Sequence, residues 1–151
     1  MGVEEVGTDA FCYCKQLKCV RLDEELQTLG GDAGSDGRRY GRRVFAHSGV
    51  ESVRLPASLK RLEPETFEFC DSLRSIEVPS GVERIGEKCF YWSEIEEATL
   101  PATLREVGED AFKNCNKLKI VWVEEGCAAD IRQHVDGSVR IVTASPVMVC
   151  G

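Results

Sequence analysis

The chain has 151 residues, 42% of them hydrophobic and 30% charged, with 26 acidic against 19 basic side chains and a formal net charge of -7. That length suffices for one domain with a sizeable core, so neither a metal nor a disulfide is needed for folding. The acidic balance argues against nucleic-acid binding, which wants a basic surface, and no apolar run approaches the roughly 18 residues of a membrane span. No basic-then-apolar leader opens the chain either, since it begins Met1-Gly2-Val3-Glu4-Glu5.

Read from the start, the chain repeats itself. Val3 and Val6 form an apolar pair three apart, Gly7 follows, and Phe11-Cys14-Leu17 leads to a second pair two apart, Val20/Leu22. The series restarts with Leu26/Leu29 and Gly30, continues after an insert with Phe45-Ser48-Val50, and closes on Val53/Leu55 and Pro56. The third unit runs Leu59/Leu62, Phe67-Cys70-Leu73, Ile76/Val78 and Pro79. The fourth runs Val82/Ile85 and Gly86, Phe90-Ser93-Ile95, Ala98/Leu100 and Pro101. The fifth runs Leu104/Val107 and Gly108, Phe112-Cys115-Leu118 and Val121/Val123. The anchoring phenylalanines are spaced 34, 22, 23 and 22 apart, so one unit carries about eleven extra residues.

The physics of the unit follows from its pattern. A period-two apolar pair such as Val53/Leu55 is a short strand with one face buried. Proline then ends the strand, because it has no N–H for a ladder. Glycine after the pair three apart suits a turn with positive φ. A unit of about 23 residues cannot bury its own apolar side, so stability comes from stacking on neighbours. The expected product is a right-handed coil of coils with parallel strands about 4.8 Å apart.

The stretches SLKRLEPETFEFCDSLRSIEVP and GVERIGEKCFYWSEIEEATLP, with the alternation of an F-x-x-C-x-x-L form and a shorter serine form, closely resemble BspA-like (Treponema-type) leucine-rich repeats. The resemblance covers residues 3–123 and implies a leucine-rich-repeat solenoid, curved, with a parallel β-sheet on its concave side and few helices. It also implies extracellular or cell-surface proteins that work by binding, often in adhesion, without a cofactor. Two segments depart from the family pattern, the insert at 31–43 and residues 124–151, which are expected to form a C-terminal cap.

Eight cysteines raise the question of bridges or metals. Cys14, Cys70 and Cys115 occupy one repeat position, with Ser48 and Ser93 between them. Successive cysteines of that column stand two coils apart, about 9–10 Å, whereas a disulfide needs Cα atoms within about 7 Å. They read as small buried side chains offering a weak hydrogen bond to the turn. Cys89 takes the slot of Ala10, Ala46 and Ala111, a small core position. Cys12, Cys14 and Cys19 lack the paired spacing of a zinc site. Cys127 and Cys150 lie outside the repeat, as a terminal bridge or as two free thiols.

Catalysis finds no constellation. His47 precedes the Ser48 ladder position and reads as a solvated turn residue, and His134 has no evident partner. No phosphate-binding glycine motif is present. Function therefore falls to surfaces. Residues between the buried pairs point outward, placing Arg21, Arg54, Glu77, Thr99 and Trp122 in one column and Cys19, Ser52, Ser75, Glu97 and Ile120 in a second. Arg54 and Glu77 are expected as cross-strand neighbours. Trp122 beside Ile120 suits a binding anchor, unless the terminal segment folds back and covers both. Tyr91 and Trp92 form a second aromatic patch, either a contact or packing on adjacent turns.

The glycine-rich insert, which also carries Arg38, Arg39, Arg42 and Arg43, reads as a mobile loop that contacts an anionic partner or is simply tolerated. The start at Val3/Val6 has no polar cap, so the first coil is expected to be frayed, continued by further chain, or paired end to end with another copy. At the other end, AADIRQHV reads as a short helix and SVRIVTA as a closing strand. The residues thus point to a non-enzymatic protein-binding solenoid with protein partners. A structural subunit assembled through its uncapped end or its insert is the alternative.

Overall fold

The structure, a computed structural model, describes residue 2 and residues 5–30 and 43–144. It is a parallel β-solenoid with almost no helix. The outward-facing sheet is built from the period-two pairs: β2 (Cys19–Arg21), β4 (Ser52–Arg54), β6 (Ser75–Glu77), β8 (Glu97–Leu100), β10 (Ile120–Glu124) and β11 (Arg140–Ala144), each pairing parallel to its neighbour where paired. Its residues alternate as expected, with Ile76, Ala98 and Val121 buried and their flanking residues turned outward.

The apolar pairs three apart, read from the sequence only as lead-ins to a turn, make a second parallel ladder. Its strands are two residues long: β1 (Glu5–Val6), β3 (Thr28–Leu29), β5 (Arg61–Leu62), β7 (Arg84–Ile85) and β9 (Glu106–Val107). One face of each points inward, so Leu62 and Ile85 are fully buried beside exposed Arg61 and Arg84.

Between β3 or its successors and the outer sheet the chain turns over the phenylalanines. Phe45, Phe67 and Phe90 are completely buried, and the five rings stack in sequence at centroid distances of 5.4, 5.5, 5.4 and 5.2 Å. The residues two before and two after each phenylalanine have positive φ, from Asp9 and Tyr13 in the first coil to Asp110 and Asn114 in the fifth. Such a backbone is unfavourable by roughly 1–2 kcal/mol for a side chain with a Cβ. It is held because each turn hydrogen-bonds the next: Phe11 N–H reaches the Val44 carbonyl at 2.8 Å, and Tyr13 N–H reaches Ala46 at 2.9 Å. The same two bonds recur at every later coil junction up to Phe90–Ala111 and Trp92–Lys113.

Both sheets are interrupted between the second and third coils. β4 and β6 are not joined in a ladder, nor are β3 and β5, whereas Phe45–Phe67 stacking and the turn bonds Phe45–Thr66 and His47–Glu68 cross that seam intact. The expected cross-strand pair of Arg54 and Glu77 therefore does not form, because their strands are not zipped together. The insert's residues 31–42, with Arg38, Arg39 and Arg42, lie outside the described residues.

The glycine reading needs correction. Gly30 does have positive φ (124°), but Gly86 and Gly108 do not. At Gly86 a Cβ would lie 2.5 Å from the Pro64 nitrogen and 2.7 Å from the Glu63 carbonyl carbon, and at Gly108 it would collide with Glu87 N. These glycines allow neighbouring coils to approach, which is a stacking requirement and not a turn requirement.

The cysteine column is as expected at Cys70 and Cys115, whereas Cys14 is only half-buried. Cys70 Sγ donates to the Phe45 carbonyl of the preceding coil at 3.1 Å, and Cys115 Sγ to that of Phe90 at 2.9 Å, with Ser48 and Ser93 beside them. All seven described cysteines are free thiols, and Cys89 is fully buried. Cys127 donates to the Leu104 carbonyl at 3.5 Å, while Cys150 lies outside the described residues. The C-terminal segment supplies a single turn of 3-10 helix (Ile131–His134) and then β11, which pairs in register with β10.

Two outcomes follow. Phe67→Ala is expected to destabilise by about 3–5 kcal/mol and Gly86→Ala by about 1–3 kcal/mol, read from urea unfolding midpoints. Burial raises the Cys70 thiol to about 12 and the Cys115 thiol to about 11. Iodoacetamide at pH 8 should therefore modify exposed Cys19 and spare Cys70, Cys89 and Cys115 until the protein is unfolded, which peptide mapping would show.

Candidate binding faces of the solenoid

Three places on the molecule carry groups that the stacking itself does not use. The first is the outer face of the large sheet. Arg21 stands opposite Arg54, Glu77 opposite Thr99, and Thr99 opposite Trp122, so the sequence-predicted column is real except at the seam. There β4 and β6 border a cleft of about 470 Å³ whose walls include Arg54 and Glu77, with Val53, Leu55 and Glu24 around them. Neither Arg54 nor Glu77 makes an ion pair among the described residues, whereas Lys18 and Glu51, just ahead of β2 and β4, pair at 3.3 Å.

Trp122 and Ile120 lie at the far end of this face. Both are half-buried, not fully exposed as the sequence suggested. Among the described residues the terminal segment does not fold over them. It lengthens the sheet by one strand, seating Val142 beside Trp122 and Arg140 beside Ile120. Trp122 Nε1 donates to the Glu97 carboxylate, which fixes the indole across the strands.

The second place was missed from the sequence as a unit. Two residues after each anchoring phenylalanine come Tyr13, His47, Phe69 and Trp92, and their rings form a second stack parallel to the buried one. Tyr13 and His47 are 4.5 Å apart, His47 and Phe69 4.7 Å, and Phe69 and Trp92 6.2 Å, all nearly coplanar, with Tyr91 edge-on to both Phe69 and Trp92. Tyr13 is 60% exposed and Trp92 41%. The fixed offset from phenylalanine was visible in the sequence, but the residues differ in type and so did not read as a column. His47 is accordingly not a solvated turn residue. Burial, then Arg43 and Lys15, holds its imidazole below the ordinary range.

Arg43, the one described arginine of the insert cluster, is committed to the fold. It pairs with Glu65 at 3.8 Å and Glu68 at 3.7 Å on the next turn, and is not free for an anionic partner. Burial and neighbouring Glu65 raise the Glu68 carboxyl. The third place is a cavity of about 540 Å³ where the fifth turn and the C-terminal segment diverge, lined by Phe112, Asn114 and Asp136 among others.

Among the described residues no three His, Cys, Asp or Glu side chains gather as a metal site, and no helix is long and apolar enough to cross a membrane. The ladder of paired strands and the phenylalanine column together define a leucine-rich repeat solenoid. The model of the BspA type leucine rich repeat region matches in six copies over residues 1–35 and 38–135, and the chain belongs to that family. In fold it is similar to a leucine rich cell surface protein from Faecalibacterium prausnitzii A2-165 (21% identity, 91% of this chain and 34% of that one, TM-score 0.68). It is likewise similar to the T. pallidum leucine rich repeat protein (23%, 98% and 70%, TM-score 0.68) and to a leucine-rich repeat protein from Bacteroides ovatus ATCC 8483 (19%, 95% and 41%, TM-score 0.61). The chain spans about a third of the length of the F. prausnitzii protein. A search of the curated proteins finds no match.

The histidine in the aromatic stack sets a pH response. A folded-state pKa held below the ordinary histidine value of about 6.5 contributes stability that is complete above that value and is lost as pH falls through the folded pKa. Wild type should therefore lose more thermal stability between about pH 7 and pH 5 than His47→Phe, which keeps the ring stack; parallel melting curves of the two check it.

Proposed function

We propose that the chain is a non-enzymatic protein-binding solenoid of the surface or adhesion kind, binding through the outer face of its large sheet. The observation that carries this reading is the cleft at the seam between β4 and β6. The fold leaves an arginine and a carboxylate facing each other there, both exposed and neither spent on an ion pair among the described residues. In a solenoid every inward position repeats from coil to coil, so identity is free to vary only outside, and a binding face is built from such variation. Here the face runs from Arg21 and Arg54 through Glu77 and Thr99 to Ile120 and Trp122, with the rigid indole as an anchor. A cell-surface location is in keeping with the description of the F. prausnitzii protein.

A second reading, a subunit of a larger assembly, is favoured by the first coil. Phe11 and Leu17 remain half-buried, whereas Phe45 and Val50, in the corresponding places one coil on, are completely buried.

The test is a panel of purified extracellular proteins immobilised and probed with wild type, Arg54→Glu and Trp122→Ala. Each variant should keep its melting temperature and lose at least tenfold in affinity for the ligand that wild type binds, about 1.4 kcal/mol or more. Unchanged affinity in both variants rules out this face. Concentration-dependent association of wild type without any binding would favour the assembly reading.

A further inference from the structure

The turn-side ribbon has a direction. At each of the four junctions between coils, the N–H of the phenylalanine and the N–H two residues later point toward the C-terminal end of the stack and meet two carbonyls of the next turn. The series runs Phe11 and Tyr13 to Val44 and Ala46, then Phe45 and His47 to Thr66 and Glu68. Phe67 and Phe69 then reach Cys89 and Tyr91, and Phe90 and Trp92 reach Ala111 and Lys113, at 2.8–3.0 Å throughout. The fifth turn presents the same two donors, Phe112 N–H and Asn114 N–H, and neither has an acceptor among the described residues.

The reason is local. The C-terminal segment rejoins the stack at β11 but diverges at residues 133–139, leaving the cavity of about 540 Å³ beside the fifth turn. Phe112 is buried and lines that cavity, so an acceptor for its N–H has to come from the cavity side, and main-chain donors of buried residues are mostly paired in folded proteins.

We propose that this end of the ribbon is a docking site for an extended peptide segment of a partner, held through two main-chain carbonyls in the manner of strand addition. The molecule itself displays the ligand four times, since in every inner coil these donors are met by carbonyls of alternate residues in a parallel segment. The cavity's charge selects the peptide. Asp110 and Asp136 line it with Lys113 and His134, and Asp110 is already paired with Lys113 at 3.5 Å, so Asp136 is the one uncompensated carboxylate of that lining and favours a basic side chain over a free anion. The site lies on a different face from the proposed sheet surface, and neither depends on the other.

The experiment uses the full chain labelled with nitrogen-15. Its probe is the acetylated and amidated peptide of residues 43–48, whose own Val44 and Ala46 carbonyls accept from Phe11 and Tyr13 in the fold. The expected result is a saturable shift of the Phe112 and Asn114 amide resonances, with their solvent exchange slowed at least tenfold and those of Phe90 and Trp92 unchanged. The same peptide carrying Arg43→Glu and His47→Glu should bind at least threefold more weakly. Four results would overturn the proposal: no shift with the peptide, amides already protected in the free chain, equal shifts with inorganic phosphate, or shifts that follow protein concentration alone.

Discussion

The stack of phenylalanines and the one-way hydrogen bonds beside it are the constraint on which the remainder of the molecule rests. They alone run unbroken through all five coils, while both sheets part between the second and third. Burying a phenylalanine contributes roughly 1.5–3 kcal/mol, and a stacked pair adds about 0.5–1.5 kcal/mol. Those terms offset the left-handed backbone that each turn adopts on either side of its ring, at roughly 1–2 kcal/mol per residue. The strain persists because the rings and the inter-turn bonds determine the conformation together. Neither would be available to a single coil in isolation.

Direction follows from that arrangement. Parallel stacking with donors pointing one way gives the solenoid two chemically unlike faces: half-buried Phe11 and Leu17 in the first coil, and in the fifth the Phe112 and Asn114 donors, unmatched among the described residues, beside a cavity. The seam is a third consequence. Where the ladders part, the outer face gains a cleft bordered by Arg54 and Glu77, neither of which makes an ion pair among the described residues.

The aromatic column of Tyr13, His47, Phe69 and Trp92 shows how far a sequence can be read. Its offset from phenylalanine is as regular as that of the cysteines, yet its members share only planarity, a property that matters once coils are placed about 5 Å apart. His47 was legible as a residue near the turn, but its environment comes from Tyr13 and Phe69, 34 and 22 residues away. Gly86 and Gly108 teach the same point, because what forbids a side chain there is the backbone of the preceding coil. The cysteine ladder was legible because it needed only the coil spacing to exclude bridges.

The sequence by itself determined the repeat, the inward and outward alternation of the outer strands, the buried phenylalanines, the Cys/Ser column and the closing strand. Each of these depends on periodicity within a unit, and periodicity is written along the chain. Tertiary structure alone decided the second ladder, the seam bordered by Arg54 and Glu77, the half-buried seat of Trp122 beside Val142, and the Phe112 and Asn114 donors that meet no acceptor among the described residues. Those depend on whether one coil actually meets the next at a given place, a long-range geometry carried by no local pattern of residues.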